Sequence, residues 1–365
     1  MIYLDNASTT PICSAAKQAI MEHLDNYGNP SSLYEFARES RLLVEDARER
    51  IAKCINAEPD EIYFTSGGSE SDTWALNGRR SLASNIEHHA IHATKSLLVE
   101  PITGFIYPSY LSGAMQVIAI FENEPIELVS CMTVNNEIGT IQPIRALADV
   151  AHENGALFHT DAVQAMGHLP IDVKSIKCDM LSASGHKFGA TKGVGFLYIK
   201  NGIEITPLIY GGRQEQGSRG GTENILGIIS MAAALEDAVE HINERHDHIE
   251  LLRNKMMDNL SSIEGIHLNG SFDNRIVSNL NYRIDGVPGQ KLVTLCDLCG
   301  VCISSGSACN EGQAQPSHVL KAIGLSDEEA LNSIRITIGY QNTIEEINTA
   351  ADIITKLVER IRRND

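Results

Sequence analysis

Apolar residues recur at near-helical spacing over 33–55, where Phe36, Leu43, Val44, Ala47 and Ile51 are set among charged side chains, and this spacing predicts an amphipathic helix. Gly28-Asn29-Pro30-Ser31-Ser32 sets up its start. Residues 61–65 read as a short strand running into a glycine turn, and helical spacing resumes over 69–76. The alternation returns with an apolar run at 126–132, a helix over 144–154, and further runs at 156–159 and 179–182 ahead of Gly185. Strands and helices in this order predict an α/β layer around a largely parallel sheet. A glycine-rich segment, 211–221, precedes a long helical stretch from 225 to about 260, whose polar patch at 243–250 predicts a helix crossing solvent between two bodies. Beyond Gly265 the pattern becomes strand-like at 276–282, helical near 290–298, strand-like at 301–304 and helical from about 344. These elements predict a second, smaller α+β domain, and with no internal repeat or low-complexity linker the two should pack closely.

A length of 365 residues, with 43% hydrophobic and 21% charged side chains, agrees with two globular domains. The balance of 29 basic and 47 acidic residues gives −18 at pH 7, a surface that repels phosphate backbones and argues against nucleic-acid binding. Met1-Ile2-Tyr3-Leu4-Asp5-Asn6 offers no basic region followed by an apolar run, so no secretory signal is expected. No apolar run of membrane-spanning length occurs. Eight cysteines at this density point to reduced thiols and a cytoplasmic location.

Three local features carry chemistry. Ser182-Ala183-Ser184-Gly185-His186-Lys187 places a lysine directly after an apolar run, and Phe158-His159-Thr160-Asp161 ends another run on an acid, the edge at which open α/β sheets bind ligands. Ser66-Gly67-Gly68-Ser69-Glu70 opens a helix with small residues whose free N–H groups can hold a phosphate. No lysine follows these glycines at nucleotide P-loop spacing. An anion cup, an acid and a lysine at strand ends are what pyridoxal 5′-phosphate requires for anchoring, tuning and attachment.

The chain resembles the cysteine desulfurases of the NifS/IscS type, within the class-V aminotransferase-like, PLP-dependent transferase (aspartate aminotransferase-like) fold. The motifs that carry the resemblance include Tyr3-Leu4-Asp5-Asn6-Ala7-Ser8-Thr9-Thr10-Pro11, Gly28 to Ser32, Phe64 to Asp72, Glu87-His88, Val134 to Gly139, and His159 to Gln164. It continues through Ser184 to Lys187, Arg219-Gly220-Gly221-Thr222, Ser304-Ser305-Gly306-Ser307-Ala308-Cys309 and Ser333-Ile334-Arg335. The resemblance implies a large cofactor-binding domain over 15–252 and a small domain formed by 1–14 and 253–365 that carries the cysteine loop. It implies that Lys187 attaches the cofactor, Asp161 pairs with the pyridinium nitrogen, Gln164 meets the ring hydroxyl and His88 stacks on the ring. Gly68, Ser69, Ser184 and His186 would hold the phosphate, joined by Thr222 from the partner subunit of a homodimer. Asn29, Asn136 and Arg335 would hold the substrate carboxylate, a task suited to a guanidinium fork.

Cys309 sits among small residues and is followed by the polar string Asn310-Glu311-Gly312-Gln313-Ala314-Gln315, a setting for a thiolate carried on a mobile loop. This long-loop form resembles the group I desulfurases. The implied reaction converts L-cysteine to L-alanine and leaves a persulfide on Cys309 for a sulfur-acceptor protein such as an iron–sulfur scaffold. The rival readings are another class-V enzyme, an aminotransferase or selenocysteine lyase, and a non-catalytic iron–sulfur assembly partner. The run Cys296-Asp297-Leu298-Cys299-Gly300-Val301-Cys302 has a spacing that can ligate a cluster, but it crosses a helix end and a strand, which favours plain packing. His88, His89 and His92 offer metal-like spacing without an acidic or thiol ligand to match. No metal site is expected. Ser69, Tyr34 and Tyr340 depart from the threonine, histidine and arginine frequent at these positions in the resembled family, and the stretch 89–104 is shorter than in its members.

Overall fold

The computed structural model describes residues 1–363 apart from 95, 100, 102–103, 108–110, 113, 116–124, 306–308 and 311–312, with 309–310 and 313–314 described by their backbone. Strand β1 (Ile2–Tyr3) leads the chain. The large sheet is built from β2 (Ile62–Thr65), β3 (Ser81–Ser84), β4 (Leu97–Val99), β5 (Leu128–Ser130), β6 (Leu157–Asp161), β7 (Met180–Ser184) and β8 (Gly195–Ile199). Their order is β2-β8-β7-β6-β5-β3-β4, with β7, β6, β5, β3 and β4 parallel and β8 antiparallel to both of its neighbours. This is the mainly parallel α/β architecture expected from the sequence.

Both faces of the sheet are covered, so its strands are buried along their length. Leu128, Met180, Leu197 and Ile199 meet Trp74, Leu76 and Ile91 on one side. Their strand neighbours Val129, Leu181, Phe196 and Tyr198 join Val44, Ile51, Ile228 and Leu235 on the other, as alternation of side chains along a strand requires. The helix Glu35–Cys54 buries Ala37, Val44, Ala47 and Ile51, with Glu35 in its first turn and Lys53 in its last complementing the helix dipole.

The stretch expected to be one long helix is two, Ile225–Glu240 and Ile242–Leu260, which part at His241. The first packs Ile228, Ile229 and Leu235 into the large core. The second carries Ile249, Leu252, Met256 and Leu260 into a separate core with Leu4, Leu280, Leu292, Ile334, Ile336, Ile347 and Ile354. That second core lies against an antiparallel sheet formed by β9 (Ile266–Leu268), β10 (Asn279–Ile284), β12 (Ser304–Ser305) and β15 (Ser333–Thr337). The helices Gly289–Leu298 and Ile344–Arg363 supply its remaining apolar residues. Strand β11 (Val301–Cys302) takes β1 in parallel, so the first residues of the chain join this second body. From there residues 5–13 cross to the helix Ser14–Glu22, which packs on the large body. Strands β13 (Cys309–Asn310) and β14 (Gln313–Ala314) form a short hairpin. Among the described residues, no helix is long and apolar enough to cross a membrane.

Candidate active site

A cleft of about 720 Å³ opens at the C-terminal ends of the parallel strands, lined by Gly68, Ser69, Asp72, His88, Asn136, Asp161, Gln164, Ser184, His186, Lys187 and Arg335 among others. Ten of the twelve side chains singled out from the sequence as site residues, excluding Cys309, are thus gathered in one place. Asp161 ends β6 and Ser184 ends β7, and His186 and Lys187 follow in the turn after β7. This is the edge where side chains at a parallel sheet face a ligand.

The anion cup is built by close backbone approach. Gly67 has φ +151, and a Cβ on Gly68 would sit 2.7 Å from Val163 Cγ2, so glycine lets the helix Gly68–Leu76 begin hard against the end of β6. The first amides of a helix have no carbonyl partner within it, and Ser69, Ser184 and His186 stand around this end of the cleft. Glu70, in the same turn, is tied away from it: its carboxylate accepts from Arg219 Nε at 2.8 Å and Nη2 at 3.0 Å and from the Ser66 amide at 2.7 Å. These bonds hold its carboxyl below the ordinary range although burial acts against them.

Asp161 is buried with Oδ1 accepting from the Val163 amide at 2.8 Å. Burial pushes its carboxyl up to about 6, against the pull of that amide and of Lys187. Asp72 beside it is also fully buried, with Oδ1 unpartnered, and burial, reinforced by the charge of Asp161, raises it well above the ordinary carboxylate value. Beneath them His159 is fixed between Ser130 Oγ at 2.8 Å and Ser182 Oγ at 2.9 Å. Burial pushes this imidazole down to about 3, so it is neutral. A buried carboxylate at the floor of a cleft calls for a cationic hydrogen-bond donor, which a pyridinium N–H supplies.

Lys187 Nζ donates to the carbonyls of Ala7 at 2.6 Å and Ser8 at 2.8 Å. Burial, and next the charge of Arg335, push its ammonium down to about 8. The Ala7 carbonyl also accepts from Gln164 Nε2 at 2.9 Å. His88 begins the short helix His89–His92, and its Nδ1 accepts from the Ala90 amide at 3.2 Å, which leaves Nε2 to carry the ring proton. Burial, then the charge of Lys187, push His88 down to about 4. Arg335, on β15, donates from Nη1 to the Asn136 carbonyl at 2.9 Å and from Nη2 to Asp5 Oδ1 at 2.8 Å. An anion cup, a buried carboxylate and a softened lysine in one cleft fit pyridoxal phosphate.

Two expected residues are not among those lining this cleft. Asn29 is exposed, with Oδ1 accepting from the Ser31 amide at 3.0 Å, and Thr222 is exposed just after the glycine-rich segment that Arg219 ties to Glu70. The position of the Cys309 thiol lies outside the described residues, but both ends of its loop are fixed. Ser304 and Ser305 pair with Arg335 and Ile334. At the other end, Ser317 Oγ donates to Glu137 Oε2, and His318 Nε2 bonds the Glu87 carbonyl at 2.9 Å. Each anchor is a candidate site residue or its immediate neighbour in sequence.

The other thiols and the departures from pattern have plain surroundings. Cys296 is buried and its thiol is pushed up to about 12, Cys299 is exposed at the helix end and Cys302 lies on β11. No group of three or more metal-ligating side chains is assembled among the described residues. Tyr34 stacks on Phe36, and Tyr340 lies under the Arg245 guanidinium at 4.1 Å.

Asp5, Asp72 and the Arg219–Glu70 pair are the features of the site that sequence reasoning did not single out. Asp5 stands in the matched opening motif, but its partner is 330 positions away and no local pattern announces the pair.

Residues 2–349 match the family described as aminotransferase class-V. The chain belongs to that family. It is 39% identical over 381 aligned positions to the cysteine desulfurase IscS of Methanosarcina thermophila, a match covering 99% of this chain and 93% of that protein. Among solved structures, a NifS-like protein superposes with a TM-score of 0.89 at 32% identity, covering 98% of this chain and 99% of that one. A structure titled SspA in complex with cysteine superposes with a TM-score of 0.79 at 31% identity, covering 94% of this chain and all of that one.

Proposed function

We propose that this chain is a PLP-dependent cysteine desulfurase that converts L-cysteine to L-alanine and carries the sulfur away as a persulfide on Cys309. The observation that carries the reading is the single cleft holding Lys187, Asp161, Gln164, His88, the Ser69–Ser184–His186 cup and Arg335, with both ends of the Cys309 loop anchored beside it. When bound, pyridoxal phosphate supplies an electron sink for the substrate Cα. Gly68, Ser69, Ser184 and His186 would hold its phosphate, Asp161 its ring nitrogen and Gln164 its ring hydroxyl, with His88 on the ring face.

The protein's own groups do the rest. Arg335 and Asn136, which both line the cleft, orient the substrate carboxylate, whereas Asn29 lies outside it. Lys187, softened by burial, takes the Cα proton and returns it. The Cys309 thiolate attacks the substrate sulfur: a sulfur–sulfur bond forms, the Cβ–S bond breaks, and its electron pair stays on carbon and is protonated to give L-alanine. Neutral His88 keeps its Nε2 proton available at this side of the cleft without adding a second cation beside Lys187.

A homodimer in which Thr222 serves the partner's cleft accounts for its exposed place outside its own. Support comes from Tyr27, Leu33, Tyr34 and Phe36, four large apolar side chains exposed within one short stretch, the kind of surface that marks an interaction site. The acceptor is a protein such as an iron–sulfur scaffold, and the free thiols among the described cysteines suit a cytoplasmic location.

The test is release of alanine and sulfide from L-cysteine with a thiol reductant, for wild type and Cys309→Ala, with the visible cofactor band recorded alongside. Equal yields that vanish in the variant while the band persists are expected. Undiminished turnover in Cys309→Ala would point to another class-V reaction.

A further inference from the structure

The residue that holds Arg335 from the far side is Asp5. Its Oδ1 accepts from Arg335 Nη2 at 2.8 Å, with side-chain exposures of 20% and 10% for the two partners. The pair is set by the backbone. Asp5 bridges Thr337 on the neighbouring strand, two positions from Arg335, and the Leu4 amide bonds the Cys302 carbonyl at 2.9 Å. The Thr337 amide bonds the Leu4 carbonyl at 2.7 Å, and Asn6 Nδ2 bonds the Thr337 carbonyl at 2.8 Å. The backbone at Asp5 is therefore held in place beside Arg335. Arg335 has committed Nη1 to Asn136 and Nη2 to Asp5, while its buried Nε has no partner, an unmet donor of the kind a ligand completes.

We propose that Asp5 is a resident counter-carboxylate to Arg335 that weakens capture of an amino-acid α-carboxylate in the cleft and eases its release, making Asp5 a positioning residue that sets substrate and product affinity. This rests on the carboxylate-clamp reading of Arg335. A substrate carboxylate meets a guanidinium whose charge is already half answered, and it lies near a like charge in a partly dehydrated cleft, where such repulsion is poorly screened. The carboxylate of L-alanine, the proposed product, is subject to the same repulsion and leaves more readily.

The experiment titrates L-alanine, and ethylamine as an amine without a carboxylate, into the PLP-loaded enzyme by calorimetry, for wild type, Asp5→Asn, Asp5→Glu and Arg335→Gln. Asp5→Asn keeps an oxygen acceptor for Nη2 and removes the charge. It is expected to bind L-alanine roughly fivefold tighter with ethylamine unchanged, and to lower KM for L-cysteine more than it changes kcat. Asp5→Glu should stay near wild type. L-Alanine binding that is unchanged or weaker in Asp5→Asn, or ethylamine binding that changes in parallel with it, overturns the proposal. Arg335→Gln separates the two layers: if it binds L-alanine as wild type does, the clamp reading itself fails, whatever Asp5 does. If Asp5→Asn does not fold, Asp5→Ser is read against Asp5→Glu in the same way.

Discussion

Lys187 and Asp161 are displaced from their ordinary titration by the same cause, burial in one cleft, and each displacement has a measurable consequence. An amine attaches a carbonyl cofactor as its free base. With Lys187 pushed down to about 8, reloading of apo-protein with pyridoxal phosphate should quicken roughly tenfold per pH unit up to about 8 and level off above. Stopped-flow growth of the visible band checks this, and a rate still climbing at pH 10 would mean an ordinary lysine. Asp161 gives a stability effect. Its folded value of about 6 lies above its ordinary 3.8, so the folded state keeps a proton that the unfolded chain loses. That stabilisation is complete below the ordinary value and is lost as pH rises through about 6. Apo Asp161→Asn should therefore melt higher than apo wild type at pH 7 by roughly several degrees, with the gap closing towards pH 4, while retaining pyridoxal phosphate poorly. Lys187 and Asp161 stood out in the sequence because each follows an apolar run, whereas His88 came only with the family resemblance. Asp5 and Asp72 were not legible: Asp5 meets Arg335 beside a bridge to a distant strand, and Asp72 meets Asp161 where its helix packs on the sheet.

Elements place these groups through close backbone contacts, and glycine positions decide how close. A Cβ at Gly195 would lie 2.5 Å from the Ala183 carbonyl oxygen and 2.7 Å from Gly67 Cα, so β8 can lie against β7 and the Gly67 turn only without a side chain. Gly195→Ala should cost about 1–3 kcal/mol, read by denaturant unfolding of the apo-protein, and should loosen cofactor retention because Gly67 leads into the anion cup. Unchanged stability would show that this approach is slack. The sequence made the helices over 33–55, 69–76 and 144–154 readable within a residue or two, since their buried faces repeat at helical spacing. It did not reveal β3, whose Ser-Leu-Ala-Ser lacks a strand's apolar signature, nor β8, which runs antiparallel to both its neighbours. The break at His241 was hidden too, because helical spacing continues across it while the buried face passes from the first core to the second.

At the scale of the whole molecule, the N-terminal crossing 5–8 connects both bodies to the chemistry at once: Asp5 holds Arg335, and the carbonyls of Ala7 and Ser8 hold Lys187 and Gln164. If Thr222 completes the neighbouring subunit's cleft, mixed dimers of Thr222→Ala and Lys187→Ala should contain one intact site each. Cofactor titration of the mixture should then recover wild-type affinity at the lysine-bearing sites. Recovery of none would leave Thr222 without a role across the interface. Sulfur has to pass to Cys309 in this reaction, and the most direct measurement is the mass of the Cys309 peptide after PLP-loaded enzyme meets L-cysteine without reductant. Added mass of one sulfur atom on Cys309, removed by reductant and absent in Lys187→Ala, is predicted. An unmodified Cys309 peptide from enzyme that still turns over L-cysteine would contradict it.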